Sequence, residues 1–195
     1  MQSALRAVVM SMVTTLAGCS SAPTHFYTLL TPPSNAPVPE ASFAIHVEPV
    51  VVPAENDQAA WLVRVSPSEV AVLDGQRWAA PLSDELRAAF ADTLQEQLGA
   101  RDVDASGTMK TKYIIHIAIR RFESVPGQQA LIDADWSVRG EGPVVLMCTS
   151  QASQNVAAGY AALAAGHQQI VRNMALQIAA AVRAMEAHHP VCPPI

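Results

Sequence analysis

The chain has 195 residues, 12 basic against 17 acidic, for a net charge of −5 with neutral histidines. So acidic a protein is a poor nucleic-acid binder, because that affinity comes from neutralising phosphates, and it lacks a polybasic patch for membrane surfaces. Half of its residues are hydrophobic but only 5% are aromatic, so a core of Val, Ile, Leu and Ala is expected in one ordinary domain.

The chain opens with Arg6, an apolar run from Ala7 to Leu16, and then Leu16-Ala17-Gly18-Cys19-Ser20. A positive residue, a short apolar core and small residues make a secretory signal, too short to span a bilayer as a mature helix. Leu-Ala-Gly-Cys resembles the bacterial lipobox, in which the cysteine is lipidated and becomes the first mature residue. Residues 1–18 are therefore expected to be a signal peptide, 19–25 a lipidated tether, and 26–195 a single domain. Two or more acyl chains make such an anchor stable. Ser20 stands where an inner-membrane retention signal would place Asp, which favours the periplasmic face of the outer membrane. Cleavage removes Arg6 and no acid, leaving 11 basic and 17 acidic residues, a charge of −6.

Phe26 to Leu30 reads as a short strand, followed by an extended Pro-rich stretch from Pro32 to Pro39. Phe43, Ile45, Val47 and Val51 fall on one side and Ala44, His46 and Glu48 on the other, as in a half-buried strand. Pro53 to Ala60 is a polar loop. Trp61–Val65 and Glu69–Leu73 are two further strands, turned at Ser66-Pro67-Ser68. Pro81 introduces a helix carrying Leu86, Phe90, Leu94 and Leu98, with Asp84 and Glu85 suiting its dipole and Gly99 ending it. Tyr113–Glu123 and Val144–Ser150 are strands, and between them Ile132, Ala134, Trp136 and Val138 alternate with polar residues. A long helix from Tyr160 to Met185 closes the chain, with Gly166 inside its apolar stripe at a cost of about 1 kcal/mol relative to Ala. The expected fold class is α+β: a mainly antiparallel sheet with two helices packed on one face.

Once Cys19 is lipidated, Cys148 and Cys192 remain. An even pair in an oxidising compartment favours a disulfide, with two free thiols as the competing reading. Such a bond stabilises by roughly 3–4 kcal/mol on the chain-entropy model. Among the six histidines, His116 lies mid-strand and His167 on the apolar helix stripe, and neither has partners at metal-ligand spacing. His188-His189-Pro190-Val191-Cys192 reads as a solvated tail. Asp133 and Asp135 share the polar face of a strand, and Arg120-Arg121 reads as a solvated pair at a strand end. No nucleophile elbow, Walker loop or dinucleotide fingerprint is present, so no enzyme, metal or cofactor is expected.

The pieces taken in order resemble the PqiC/YmbA family of ABC-type and MCE-type transport auxiliary lipoproteins. The lipobox is followed closely by Phe26-Tyr27-Thr28-Leu29, then Val50-Val51-Val52-Pro53, a loop with Asp57 and a strand with Arg64. Arg77-Trp78-Ala79-Ala80-Pro81-Leu82 leads into the first helix, and Tyr160 starts an Ala-rich last helix. The loop Ala54-Glu55-Asn56-Asp57 is more polar than the family's, and the Cys148/Cys192 pair is not a general family feature. The resemblance implies a non-enzymatic auxiliary subunit under the outer membrane. Its partner would be the MCE-domain tunnel protein of a lipid transport system, with a homo-oligomeric ring by analogy. Tyr27, Pro53, Asp57, Arg64, Arg77, Trp78, Pro81 and Tyr160 are then structural or partner-contact positions. A structural lipoprotein bound to an outer-membrane barrel and a lipid-anchored hydrolase are the competing readings.

Overall fold

A computed structural model describes residues 22–32, 38–103 and 111–194. The signal peptide, the lipobox with Cys19 and Ser20, and the centre of the Pro-rich stretch lie outside them. Seven strands and two helices follow one another as β1 (His25–Tyr27), β2 (Ala44–Val47), β3 (Ala60–Ser66), β4 (Glu69–Trp78), α1 (Leu82–Leu98), β5 (Thr111–Val125), β6 (Gln129–Arg139), β7 (Val145–Asn155) and α2 (Tyr160–Glu186). The fold is α+β, and its strands form two mixed sheets, ordered β1-β4-β3 and β2-β5-β6-β7. The larger sheet is antiparallel except for β2, and the smaller one except for β1.

Alternation of residue type builds the larger sheet. Ala130, Ile132, Ala134, Trp136 and Val138 of β6 are buried under the helices, while Asp135 and Arg139 face solvent. Along β5 the buried set is Tyr113, Ile115, Ile117 and Ile119, then Phe122 and Ser124. This change of parity comes from a bulge: Ile119 opposes Ala134 but Arg121 opposes Asp133, so Arg120 is the extra residue. Arg120-Arg121 is thus not at a strand end. Both arginines face outward because the bulge sits mid-strand. Arg120 pairs with Asp135 at 3.1 Å and Arg121 with Glu123 at 2.8 Å.

The helices lie side by side over the inner face, with α2 crossing β6 and β7. Gly99 ends α1 in the left-handed region at φ 64°, its N–H bonded to the Gln95 carbonyl at 2.9 Å. A Cβ there would meet the Pro39 carbonyl oxygen at 2.0 Å, so only glycine fits. Gly166 brings α2 onto the sheet: a Cβ would lie 2.5 Å from Val156 Cγ1 and 3.2 Å from Ala130 Cβ. Its helix-propensity cost is the condition of that close packing.

Candidate functional site

The two sheets meet α2 in a buried aromatic junction, and three of the eight motif positions, Tyr27, Trp78 and Tyr160, converge on it. Trp61 of β3 lies 4.3 Å from Trp78 of β4 between ring centroids, and Tyr27 of β1 meets Trp61 edge-on at 5.2 Å. Tyr160, which opens α2, is 6.0 Å from Trp61, and Phe122 is 6.1 Å from Trp78. The bulge in β5 aims Phe122 and Ser124 inward, and both meet His167 of α2. Phe122 stacks on the imidazole at 4.1 Å, with the planes 12° apart. Trp78 is 1% exposed, enclosed within this junction.

A polar chain runs through this junction. Trp61 Nε1–H donates to Ser124 Oγ at 2.9 Å, and Ser124 Oγ lies 2.8 Å from His167 Nε2. Because Trp61 can only donate, Ser124 accepts from it, and the imidazole tautomer sets the direction of the Ser124–His167 bond. Among the described residues Nδ1 has no hydrogen-bond partner. Burial pushes the His167 pKa down to about 3, so the ring stays neutral. A hydroxyl–imidazole pair is one element of an activated nucleophile, which also needs solvent access and a group that orients the base. Here His167 is 0% and Ser124 2% exposed, and no carboxylate holds Nδ1; the pair therefore ties β3, β5 and α2 together.

Loop residues 53–57 connect this junction to the surface. Asp57 Oδ1 accepts from Ser83 Oγ at 2.6 Å and from Ser83 N at 3.4 Å. Pro81 sits at the N-cap of α1 and has no side-chain oxygen to offer, but its carbonyl accepts from Asp84 and Glu85 N–H. Asp57 therefore supplies from a distant loop the cap that the helix lacks locally.

Beside this loop, β3 and the bulged end of β5 leave a cleft of about 250 Å³, lined in part by Pro53, Leu62, Val70 and Phe122. Its charged wall is an ion cluster in which Arg64 donates to Glu123 Oε1 through Nε at 3.2 Å and Nη2 at 2.7 Å. Burial raises the Glu123 pKa, but hydrogen bonds from Arg121 and Arg64, with their charges, outweigh it and hold the carboxyl below its ordinary range. On the hairpin around the cleft, Val65, Val70 and Val72 are each about half exposed.

The segment after β1 is pinned from both helices. Glu85 Oε2 accepts from Leu29 N at 2.7 Å and Thr28 Oγ1 at 2.8 Å, and Gln168 Nε2 donates to the Thr28 and Leu30 carbonyls at 2.9 and 3.1 Å. Glu85 reads in the sequence only as a first-turn acid favouring the helix dipole. Its buried role as an acceptor carried no local signal, and neither did that of Gln168. Arg77 flanks the same segment in register with Phe26.

At the far end of the sheet, Cys148 of β7 and Cys192 of the tail are joined by a disulfide, with their Cα atoms 5.7 Å apart. Among the described residues no group of three or more His, Cys, Asp or Glu could hold a metal ion, and no helix is long and apolar enough to cross a membrane.

Comparison with known proteins matches residues 27–179 to the family described as ABC-type transport auxiliary lipoprotein component. A search of curated proteins finds no match. Among solved structures, one described only as an uncharacterized protein superposes with a TM-score of 0.69 at 17% identity, covering 83% of this chain and 99% of its own. Protein XCC0632 from Xanthomonas campestris superposes with a TM-score of 0.66 at 22% identity, covering 85% and 97%. At these identities the likeness is one of fold.

Proposed function

The chain belongs to the family of ABC-type transport auxiliary lipoprotein components, of PqiC/YmbA type, and we propose that it serves an MCE/ABC-type system moving lipid between membranes. In this reading Cys19 is lipidated and the protein hangs from the periplasmic face of the outer membrane. The domain docks, without catalysing a reaction, on the end of the periplasm-spanning MCE-domain protein, and copies of it assemble as a homo-oligomeric ring.

The observation that carries the reading is the family match over nearly all of the folded domain. The lipobox at Leu16–Cys19 supports the anchor, and Ser20 supports sorting to the outer membrane. The junction supports a scaffold role: its only hydroxyl–imidazole pair, among the described residues, is sealed from solvent. A stiff domain suits a part that holds a tunnel in place.

Mild crosslinking in cells, membrane extraction and mass spectrometry test the proposal. The expected product contains an MCE-domain protein together with crosslinked oligomers of this chain. Recovery of an outer-membrane barrel and no MCE protein would overturn it in favour of a barrel-assembly role.

A further inference from the structure

We propose that Phe26 and Arg77 form a membrane-contact surface, with the ring seated at the lipid interface and the guanidinium on a phospholipid phosphate of the bilayer that holds the anchor. The proposal rests on the reading of Cys19 as lipidated. Its geometric basis is the parallel pairing of β1 with β4, in which Phe26 is the register partner of Arg77 and Tyr27 that of Trp78. Register partners project from the same face of a sheet. Tyr27 and Trp78 turn into the aromatic junction, so Phe26 and Arg77 turn outward as a pair.

Phe26 is 64% exposed, an unusual state for a phenylalanine in a strand. It has no route into the core, because the residues after it are held by Glu85 and Gln168. Leu30, four residues on, is also exposed, at 40%. Arg77 has no hydrogen-bond or ion-pair partner among the described residues, whereas Arg64, Arg87, Arg120 and Arg121 are all paired with carboxylates. An exposed aromatic ring beside an uncommitted guanidinium is the pairing that suits a membrane interface, where one end meets lipid and the other phosphate.

Chain length decides what covers this surface. Seven peptide steps separate Cys19 from Phe26, so the tether spans at most about 24 Å when fully extended. A lipidated Cys19 therefore keeps the Phe26 edge of the domain within about 24 Å of the bilayer, inside reach of its surface. The motif Arg77-Trp78 then divides by strand alternation: Trp78 serves the core and Arg77 the lipid.

Spin labels on the full chain in vesicles of phosphatidylethanolamine and phosphatidylglycerol test this. With Cys148 and Cys192 oxidised, the Phe26→Cys variant carries a nitroxide at 26, Leu30→Cys provides a second site, and Gln151→Cys on the exposed face of β7 is the control. On reconstitution, the label at 26 should gain accessibility to dissolved oxygen and lose it to a water-soluble nickel chelate, while the label at 151 stays open to nickel. Adding Arg77→Glu should return nickel accessibility at 26. A label at 26 that stays open to nickel overturns the proposal. So does one shielded from both reagents, which would mean protein contact. The intact mass of the preparation, compared with Cys19→Ser, separates the two readings. A lipidated protein with a water-exposed label at 26 removes only this surface, whereas an unlipidated Cys19 removes the anchor and this surface with it.

Discussion

Replacing Gly166 with alanine sets two effects of known size against each other. Helix propensity alone favours alanine by about 1 kcal/mol in a helix interior. The structure opposes it, since the new Cβ would lie 2.5 Å from Val156 Cγ1 and 3.2 Å from Ala130 Cβ. Neither neighbour yields easily: valine is stiff at χ1, and Ala130 is fixed in β6 between β5 and β7. Overpacking of this kind costs about 1–3 kcal/mol. Sterics should therefore win, leaving Gly166→Ala less stable by about 1 kcal/mol, or roughly 2–4 °C in Tm for a domain of this size. Thermal unfolding of the detergent-solubilised protein, followed by circular dichroism, measures it. The double variant Gly166→Ala/Val156→Ala should lose less than the two single changes summed, because the second removes the atom the first strikes. A Tm that rises in Gly166→Ala alone would refute the close approach of α2 to the sheet.

His167 makes stability depend on pH in a defined window. Its pKa is about 3 in the fold against 6.5 for the free side chain. Between those values the unfolded chain binds a proton that the folded one does not, so stability falls as pH drops below 6.5, by up to about 1.4 kcal/mol per pH unit. Denaturant titrations between pH 6.5 and 5 should show this slope in the wild type and not in His167→Leu; equal slopes would remove the assignment. Cys192→Ser opens a loop with a sequence separation of 44, for an expected loss of up to about 4 kcal/mol on the chain-entropy model. Reductant should lower the wild-type Tm and leave that of the variant unchanged. Asp57→Ala should cost about 1 kcal/mol, the usual value of a helix cap, and speed amide exchange at Ser83. Unchanged exchange there would show that the cap is not formed in solution.

What the sequence declares depends on how local the cause is. Pro81 and Gly99 bracket α1 because a fixed φ and a left-handed φ act within one residue. The β6 pattern is plain because its inner face is covered and its outer face is not. The parity of the cysteines points to the bond found between Cys148 and Cys192. The division into two sheets is not declared, because parallel pairs such as His25 with Gln76 and Ala44 with Thr111 join distant segments and leave no local mark. β4 continues five residues beyond Leu73, the expected end of the strand, to Trp78. The bulge at Arg120 is hidden in the same way, since an extra residue looks like a break in pattern until the opposite strand is known. His167 is legible as an apolar-stripe residue, but its bond to Ser124 is not, because the inward turn of Ser124 depends on that bulge.

The two parallel pairings also set the order in which the domain can assemble. A hairpin such as β6–β7 closes over a short loop and can form early, whereas β1 must wait for β4 and β2 for β5. Each distant pairing bears its loop-closure entropy before any contact offsets it, which makes such topologies slow to fold. If the chain is exported as proposed, it must remain unfolded until it has crossed, and this arrangement favours that. The β5–β6–β7 meander can form first as a template, while β1 docks only after β4 is in place. Stopped-flow refolding read by tryptophan emission should show the contact of Tyr27 with Trp61 forming in a later phase than burial of Trp136, and a single common phase would refute this order.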